Sequence, residues 1–214
     1  MKKSASSQKE RRHQLLQHDK RFLDQGYASL AGVDEAGRGP LAGPVVASAV
    51  IVRDFLFDDD FVVDDSKKMS ASARECAYRH ILEKCDVATA VIGHEVIDRL
   101  NILEASLLAM GKAIRGLPNK PDCVLVDGPR APQAETKLFT IVDGDALSFS
   151  VACASVVAKV TRDRIMADLD KAYPQYGFGK HKGYGTAEHL AALEQHGPCP
   201  IHRRSFAPVR KLSK

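Results

Sequence analysis

A chain of 214 residues, 44% hydrophobic and 27% charged, has the length and apolar content for one large domain with a buried core, or for one domain with a small appendage. Its five cysteines form no Cys-x-x-Cys pair, which argues against a disulfide framework or a zinc ribbon. With no apolar run near membrane length and no apolar segment behind the basic start, a cytoplasmic chain in a reducing compartment is expected. The net charge of +4 is unevenly spread: residues 1–21 and 177–214 each carry seven Lys/Arg against two acids, leaving 17 basic and 23 acidic residues between them.

Residues 1–27 are polar and charged apart from Leu15, Leu16, Phe22 and Leu23, whose spacing predicts a short amphipathic helix before Gly26 within a basic N-terminal extension. The runs 29–34 and 44–52 read as the first two strands. The second is nearly continuous in Val, Ala and Ile, so burial on both faces is expected. Asp58 to Asp60 and Asp64-Asp65 mark an exposed loop, and Ser70 opens a predicted helix over 70–84 with Ala73, Ala77 and Ile81 at helical spacing. A strand over 86–92 and a helix over 102–114 follow, the helix ended by Pro118 and Pro121. A buried strand over 123–126 closes with Asp127-Gly128, and a strand over 138–142 closes with Asp143-Gly144-Asp145. The longest helix is predicted over 150–170, where Val151, Ala154, Ser155 and Ala158 form a small-residue face suited to close packing on a sheet. From Tyr173 onward the chain is rich in Gly, His, Pro and basic residues around one short helix, 186–195. The alternation predicts an α/β core over 28–172 followed by a basic, helical C-terminal segment over 173–214.

Chemistry concentrates at Asp34-Glu35, which follow a short apolar run and precede Ala36-Gly-Arg-Gly-Pro40. Neighbours in a pleated strand point to opposite faces, so these two acids serve one centre only if the backbone twists after them or Glu35 also offers its carbonyl; Gly37 and Gly39 permit such a twist. The plain alternative is a strand end with solvated acids. Asp127-Gly128 alone reads most simply as a turn, and Asp143-Gly144-Asp145 is ambiguous by itself. Asp34, Glu35, Asp127 and Asp145 nevertheless all fall at or just beyond predicted strand ends, where open α/β sheets gather ligands. Four converging carboxylates repel one another unless they share hard cations. Such cations would also let an acidic centre accept a phosphate backbone held by basic ends, although basic tails alone serve solubility equally well. Ser66, Lys67 and Lys68 read either as a phosphate hook or as the capped start of a helix. Lys159, Arg162 and Asp163 read as structural ion pairing on the long helix. The segment 176–189 interleaves aromatics, glycines and bases in a composition suited to a sugar-phosphate backbone. Its histidines and those after it (181, 189, 196, 202) lack the cysteine partners of a zinc site.

Gly32-Val-Asp-Glu-Ala-Gly-Arg-Gly-Pro-Leu-Ala-Gly-Pro44 resembles the opening signature of type 2 ribonuclease H, the bacterial ribonuclease HII family. Similar to the same family are Asp65-Ser-Lys-Lys68, the Val-Asp-Gly context of Asp127, the Gly-Asp context of Asp145, the helix over 150–164 and the closing Pro200-Ile-His-Arg-Arg-Ser-Phe206. The resemblance, running from about 29 to 209, implies a ribonuclease H-like mixed sheet flanked by helices. It implies an endoribonuclease that cuts on the 5′ side of ribonucleotides embedded in duplex DNA or in RNA/DNA hybrids. Asp34, Glu35, Asp127 and Asp145 would hold Mg²⁺ or Mn²⁺, two ions during catalysis. Asp143 stands where the family suggests a basic or small residue, which leaves open whether Asp143 or Asp145 faces the metal. Gly37, Arg38, Gly39, Ser66, Lys67, Lys68 and Tyr184 would meet the substrate, with Tyr184 against the deoxyribose after the ribonucleotide. A monomer without a membrane or an obligate protein partner is expected. The alternatives are a ribonuclease HIII-like hybrid specialist, for which the N-terminal segment is too short, and a catalytically silent binder of RNA/DNA junctions.

Overall fold

In a computed structural model that describes residues 5–53, 63–64, 66 and 69–212, five strands form one mixed sheet. Helix α1 (Ala5–Leu23) leads into β1 (Leu30–Ala36) and β2 (Val45–Val52), which pair antiparallel. Helix α2 (Ala71–Lys84) returns the chain to β3 (Cys85–Ile92), and α3 (His94–Leu100) and α4 (Ile102–Arg115) follow. The chain then runs through β4 (Cys123–Asp127), β5 (Lys137–Ile141), the single turn α5 (Gly144–Leu147) and α6 (Phe149–Ala172). The strand order is β3-β2-β1-β4-β5, with β1, β4 and β5 parallel, so the carboxyl ends of three adjacent strands open on the same edge. This is the mixed sheet that the resemblance implies.

Every residue of β2 is buried, and its side chains divide by pleat. Val50 and Val52 join Leu15, Ile81, Phe149 and Val157 on one face, while Val45, Ala47, Ala49 and Ile51 join Ile97, Ala109 and Met110 on the other. The small-residue face of α6 has a concrete reason: a Cβ on Gly32 of β1 would lie 2.1 Å from the Ser150 carbonyl carbon, so strand and helix backbones touch. Ser148 caps this helix by accepting from Val151 N. Asp19 of α1, fully buried, adds a second acceptor there, taking hydrogen bonds from Ser150 N (2.8 Å) and Ser150 Oγ (2.7 Å). Arg11 of the same helix donates to Ala146 O at 2.6 Å and pairs with Asp64 at 3.2 Å, so α1 is a packed element much longer than the short helix expected.

After α6 the chain makes one 3₁₀ turn (Pro174–Tyr176) and three helices, α7 (Phe178–His181), α8 (Ala187–His196) and α9 (Ala207–Leu212). These build a separate cluster from Met166, Tyr176, Phe178, Leu193 and Val209 that closes over Leu41 and Ala42. All five cysteines are free. No described helix is long and apolar enough to cross a membrane.

Candidate active site

The register of the parallel pair β1–β4 places Val33 opposite Val126, so Asp34 and Asp127, each one step further, stand side by side at the sheet edge. Glu35, still paired with Ala47 inside β1, joins them: Glu35 N donates to Asp34 Oδ1 at 2.6 Å, and each of Asp34, Glu35 and Asp127 has a carboxylate oxygen within 4.8 Å of the others'. Two neighbouring acids thus share one centre, while the β1–β2 ladder continues past them to Ala36. Burial pushes the Asp34 carboxyl well above its usual range, with the charges of Glu35 and Asp127 adding to the shift. A hydrogen bond from Ser155 works the other way, and the charge of Asp145 raises it further. Glu35 is raised chiefly by burial, against the opposing pull of Arg38, whose Nη1 lies 3.3 Å from Oε1. Glu35 Oε2 is buried with no hydrogen-bond partner among the described residues. Three crowded carboxylates with one orphaned oxygen form a donor set for a hard divalent cation.

Asp143 and Asp145 part company. Asp143 is exposed in the left-handed region at φ 56°, whereas Asp145 is buried in α5 and near enough to Asp34 to raise its pKa. Gly144 N donates to Asp127 Oδ1 at 2.7 Å, which ties this turn to the end of β4.

Beyond the acids, a cavity of about 340 Å³ is lined by Asp34, Glu35, Gly37 to Gly39, Ser66, Asp127, Ser155, Lys159, Arg162 and Tyr184. Gly37 takes φ +103°, and a Cβ there would collide with Arg162 Nε at 2.1 Å. A Cβ on Gly39 would rest 3.3 Å from the ring of Tyr184, so the half-exposed phenol lies along the glycine loop. Leu41 N donates to Gly183 O at 2.7 Å, joining the two segments.

The sequence model of the family described as Ribonuclease HII matches residues 31–209. The chain belongs to the ribonuclease HII family. The ribonuclease HII of Paracidovorax citrulli is 56% identical over 84% of this chain and 75% of its own length. That of Acholeplasma laidlawii is 50% identical over 93% and 97%. Among solved structures, the ribonuclease H2 of Pyrococcus horikoshii OT3 superposes with a TM-score of 0.71 at 28% identity, over 86% of this chain and 96% of that one. The chain is thus a ribonuclease H.

Within this ribonuclease HII fold the candidate residues distribute unequally. Asp34, Glu35, Gly37, Arg38, Gly39, Ser66, Asp127 and Tyr184 line one cavity; Asp145 is buried and outside that lining, yet near enough to Asp34 for its charge to be felt there. Ser66 is buried and shares a 2.9 Å hydrogen bond with Ser155 Oγ, so its hydroxyl backs up the serine that supports Asp34. Lys67 and Lys68 lie outside the described residues. Lys159 and Asp163 do pair, at 2.7 Å, but Arg162 makes no such pair among the described residues: fully buried, it donates to the carbonyls of Pro44, Lys182 and Ala42. The reason is geometric, because Arg162 faces the glycine loop and its free carbonyls rather than a carboxylate.

The contacts of two further features are not legible in the sequence. Arg203, also fully buried, donates to Gly43 O, Arg38 O, Gly37 O and Pro44 O. Behind Tyr184, the buried imidazoles of His189 and His202 meet Nε2 to Nε2 at 3.0 Å. Cys199 N donates to His202 Nδ1, which leaves the proton on His202 Nε2 to be given to His189 Nε2. His189 Nδ1 then donates to Tyr184 O at 2.9 Å. Burial, and then the neighbouring His189, bring His202 down to about 4. The abundance of histidine and aromatic residues after Tyr173 is a signal of this cluster, and Arg203 lies in the closing segment Pro200–Phe206 that carries the resemblance, although nothing local shows that its partners are the carbonyls of the glycine loop.

Proposed function

We propose that this protein is an endoribonuclease that hydrolyses the phosphodiester 5′ of ribonucleotides embedded in duplex DNA and in RNA/DNA hybrids. It would leave 3′-hydroxyl and 5′-phosphate ends and so remove misincorporated ribonucleotides in the cytoplasm, a setting that its free cysteines suit. The observation that carries this reading is the adjacency, in one cavity, of the carboxylate cluster and the Gly37–Gly39 loop with Tyr184 alongside. A carboxylate cluster accounts for phosphodiester hydrolysis, and the adjoining loop and ring supply groups that can feel a single 2′-hydroxyl. Residues 28–172 act in this reading as the catalytic core and 173–214 as the segment that adds substrate contacts.

The donor set fits Mg²⁺ or Mn²⁺ held by Asp34, Glu35, Asp127 and Asp145. Two such ions would supply an activated water and charge stabilisation at the leaving 3′-oxygen. Ser155 orients Asp34 through the hydrogen bond that also lowers its pKa, and Ser66 holds Ser155 in turn. Gly144 N holds Asp127 by its Oδ1. Gly37 to Gly39 let a sugar approach the backbone, and Tyr184 offers a ring to the next sugar. Lys159, on the wall of the cavity, places a positive charge near the incoming phosphate.

The test is incubation with a duplex carrying one ribonucleotide, with and without Mg²⁺, followed by mapping of the ends. Cleavage 5′ of the ribonucleotide that stops in EDTA is expected. Cleavage indifferent to EDTA, or equal cutting of an all-DNA duplex, overturns the reading.

A further inference from the structure

The buried guanidinium of Arg203 has backbone carbonyls as its acceptors. Its Nη2 takes Gly37 O at 2.6 Å and Pro44 O at 3.1 Å, its Nη1 takes Arg38 O at 2.9 Å, and its Nε takes Gly43 O at 3.0 Å. Two of these carbonyls belong to consecutive peptide groups. In a trans peptide the N–H points opposite to the C=O, and the described chain contains no cis peptide bond. Drawing the carbonyls of Gly37 and Arg38 onto one buried group therefore turns the N–H groups of Arg38 and Gly39 the other way. That side is the cavity, which Arg38 and Gly39 line and Arg203 does not. Leu41 N is already committed to Gly183 O, and Pro40 has no N–H, so the two amides stand as an isolated pair of donors.

We propose that Arg203 is a positioning residue for ribose recognition: it fixes the peptide planes of the glycine loop so that the amides of Arg38 and Gly39 are held toward the 2′-hydroxyl and adjoining phosphate of a bound ribonucleotide. The inference rests on the ribonucleotide reading above and adds to it the residue that orients the loop. The geometry requires arginine, since a planar fork with donors on three nitrogens holds four carbonyls at once and a lysine ammonium presents three donors from one point. Arg162 completes the mount from the other side. It shares Pro44 O and binds Ala42 O and also Lys182 O, which is two residues before Tyr184, so loop and ring are registered together. Arg203 stays charged at neutral pH, although burial brings it down to about 9.

The test compares wild type with Arg203→Lys, using a single-ribonucleotide duplex as substrate and the all-DNA duplex of the same sequence as competitive inhibitor. Damage that only reduces the folded fraction lowers kcat and leaves both KM and Ki in place. Loss of loop registration raises KM for the ribonucleotide duplex by at least about tenfold toward the Ki of the all-DNA duplex, with Ki itself held within about twofold. A KM-to-Ki ratio equal to that of wild type overturns the proposal. A wild type that shows no preference between the two duplexes sinks the ribonucleotide reading itself, and this inference with it. As a second measurement that does not depend on the variant folding, the ¹H–¹⁵N signals of Arg38 and Gly39 in the wild-type protein should shift on adding the ribonucleotide duplex more than on adding the all-DNA duplex. Equal shifts would remove these amides, and hence Arg203, from ribose recognition.

Discussion

Replacing Asp34 by Asn should abolish cleavage and at the same time make the metal-free protein more stable. Asp34, Glu35 and Asp127 bring oxygens within 4.8 Å of one another. At an effective dielectric constant near 20, two full charges at that separation repel by about 3.5 kcal/mol. Asp34 faces two such neighbours, and the cluster already relieves part of the strain by taking up protons, which is why burial and mutual charge hold Asp34 and Glu35 above their usual range. Against the relief stands the weakening of the charge-assisted bonds from Glu35 N and Ser155, worth about 1.5–3 kcal/mol together. A net gain of about 1–3 kcal/mol follows in EDTA, or about 2–12 °C in Tm for a domain of this size. Calorimetry with EDTA and with Mn²⁺, run beside a cleavage assay, separates the terms. Wild type should gain about 2.7 kcal/mol when Mn²⁺ reaches a hundred times its dissociation constant, and Asp34→Asn should gain far less. A variant less stable than wild type in EDTA, or one that responds equally to Mn²⁺, would refute the reading of these acids as a self-repelling cation site.

Asp145→Asn should lower kcat at least about a hundredfold while Asp143→Asn stays within a few-fold of wild type, because only Asp145 is buried beside the cluster; equal effects in steady-state kinetics would count against this. Tyr184→Ala should cost about 1–3 kcal/mol in kcat/KM on a single embedded ribonucleotide and less on a continuous RNA/DNA hybrid, with equal losses marking Tyr184 as general scaffold. His202 is neutral in the fold down to about pH 4 but charges near 6.5 when unfolded, so between pH 6.5 and about 4 the unfolded state binds more protons and stability falls as the pH is lowered. After screening, that loss should be at most about 2 kcal/mol. It is best read from the pH slope of unfolding in Asp34→Asn, where the opposing carboxylate effect is reduced, and it should accompany an NMR titration of His202 well below 6.5.

The sheet was readable because its strands are short apolar runs closed by Gly, Pro or Asp, and β2 declared its two-sided burial by carrying almost no polar residue. Helix α3 went unread: it is seven residues long and its N-cap is Gly93, which has no side chain to cap it. Helix α1 was foreseen too short because its surface is polar nearly all round, and what anchors it, Asp19 on Ser150 and Arg11 on Ala146 O, is a tertiary match that no local pattern encodes. Asp34 and Glu35 stood out since adjacency in sequence is adjacency in the cavity. Arg162 and Arg203 did not, because their partners are backbone carbonyls, all but Lys182 O more than 100 residues away in the first half of the chain, and every residue type carries a carbonyl.

The tether between α1 and the start of α6 also sets an order of assembly. Asp19 and Ser150 are separated by 131 positions, so a growing chain exposes the acid long before its partner exists. A polar helix of this kind gains little from forming alone, and burying Asp19 without Ser150 would strand a charge. Docking of the first helix must then wait for the last strand and the long helix, making the first part of the chain to be synthesised the last to settle. A pulse of hydrogen exchange during refolding should find the amides of α1 protected later than those of β1 and β2, and a nascent chain stopped short of residue 150 should keep α1 open to protease.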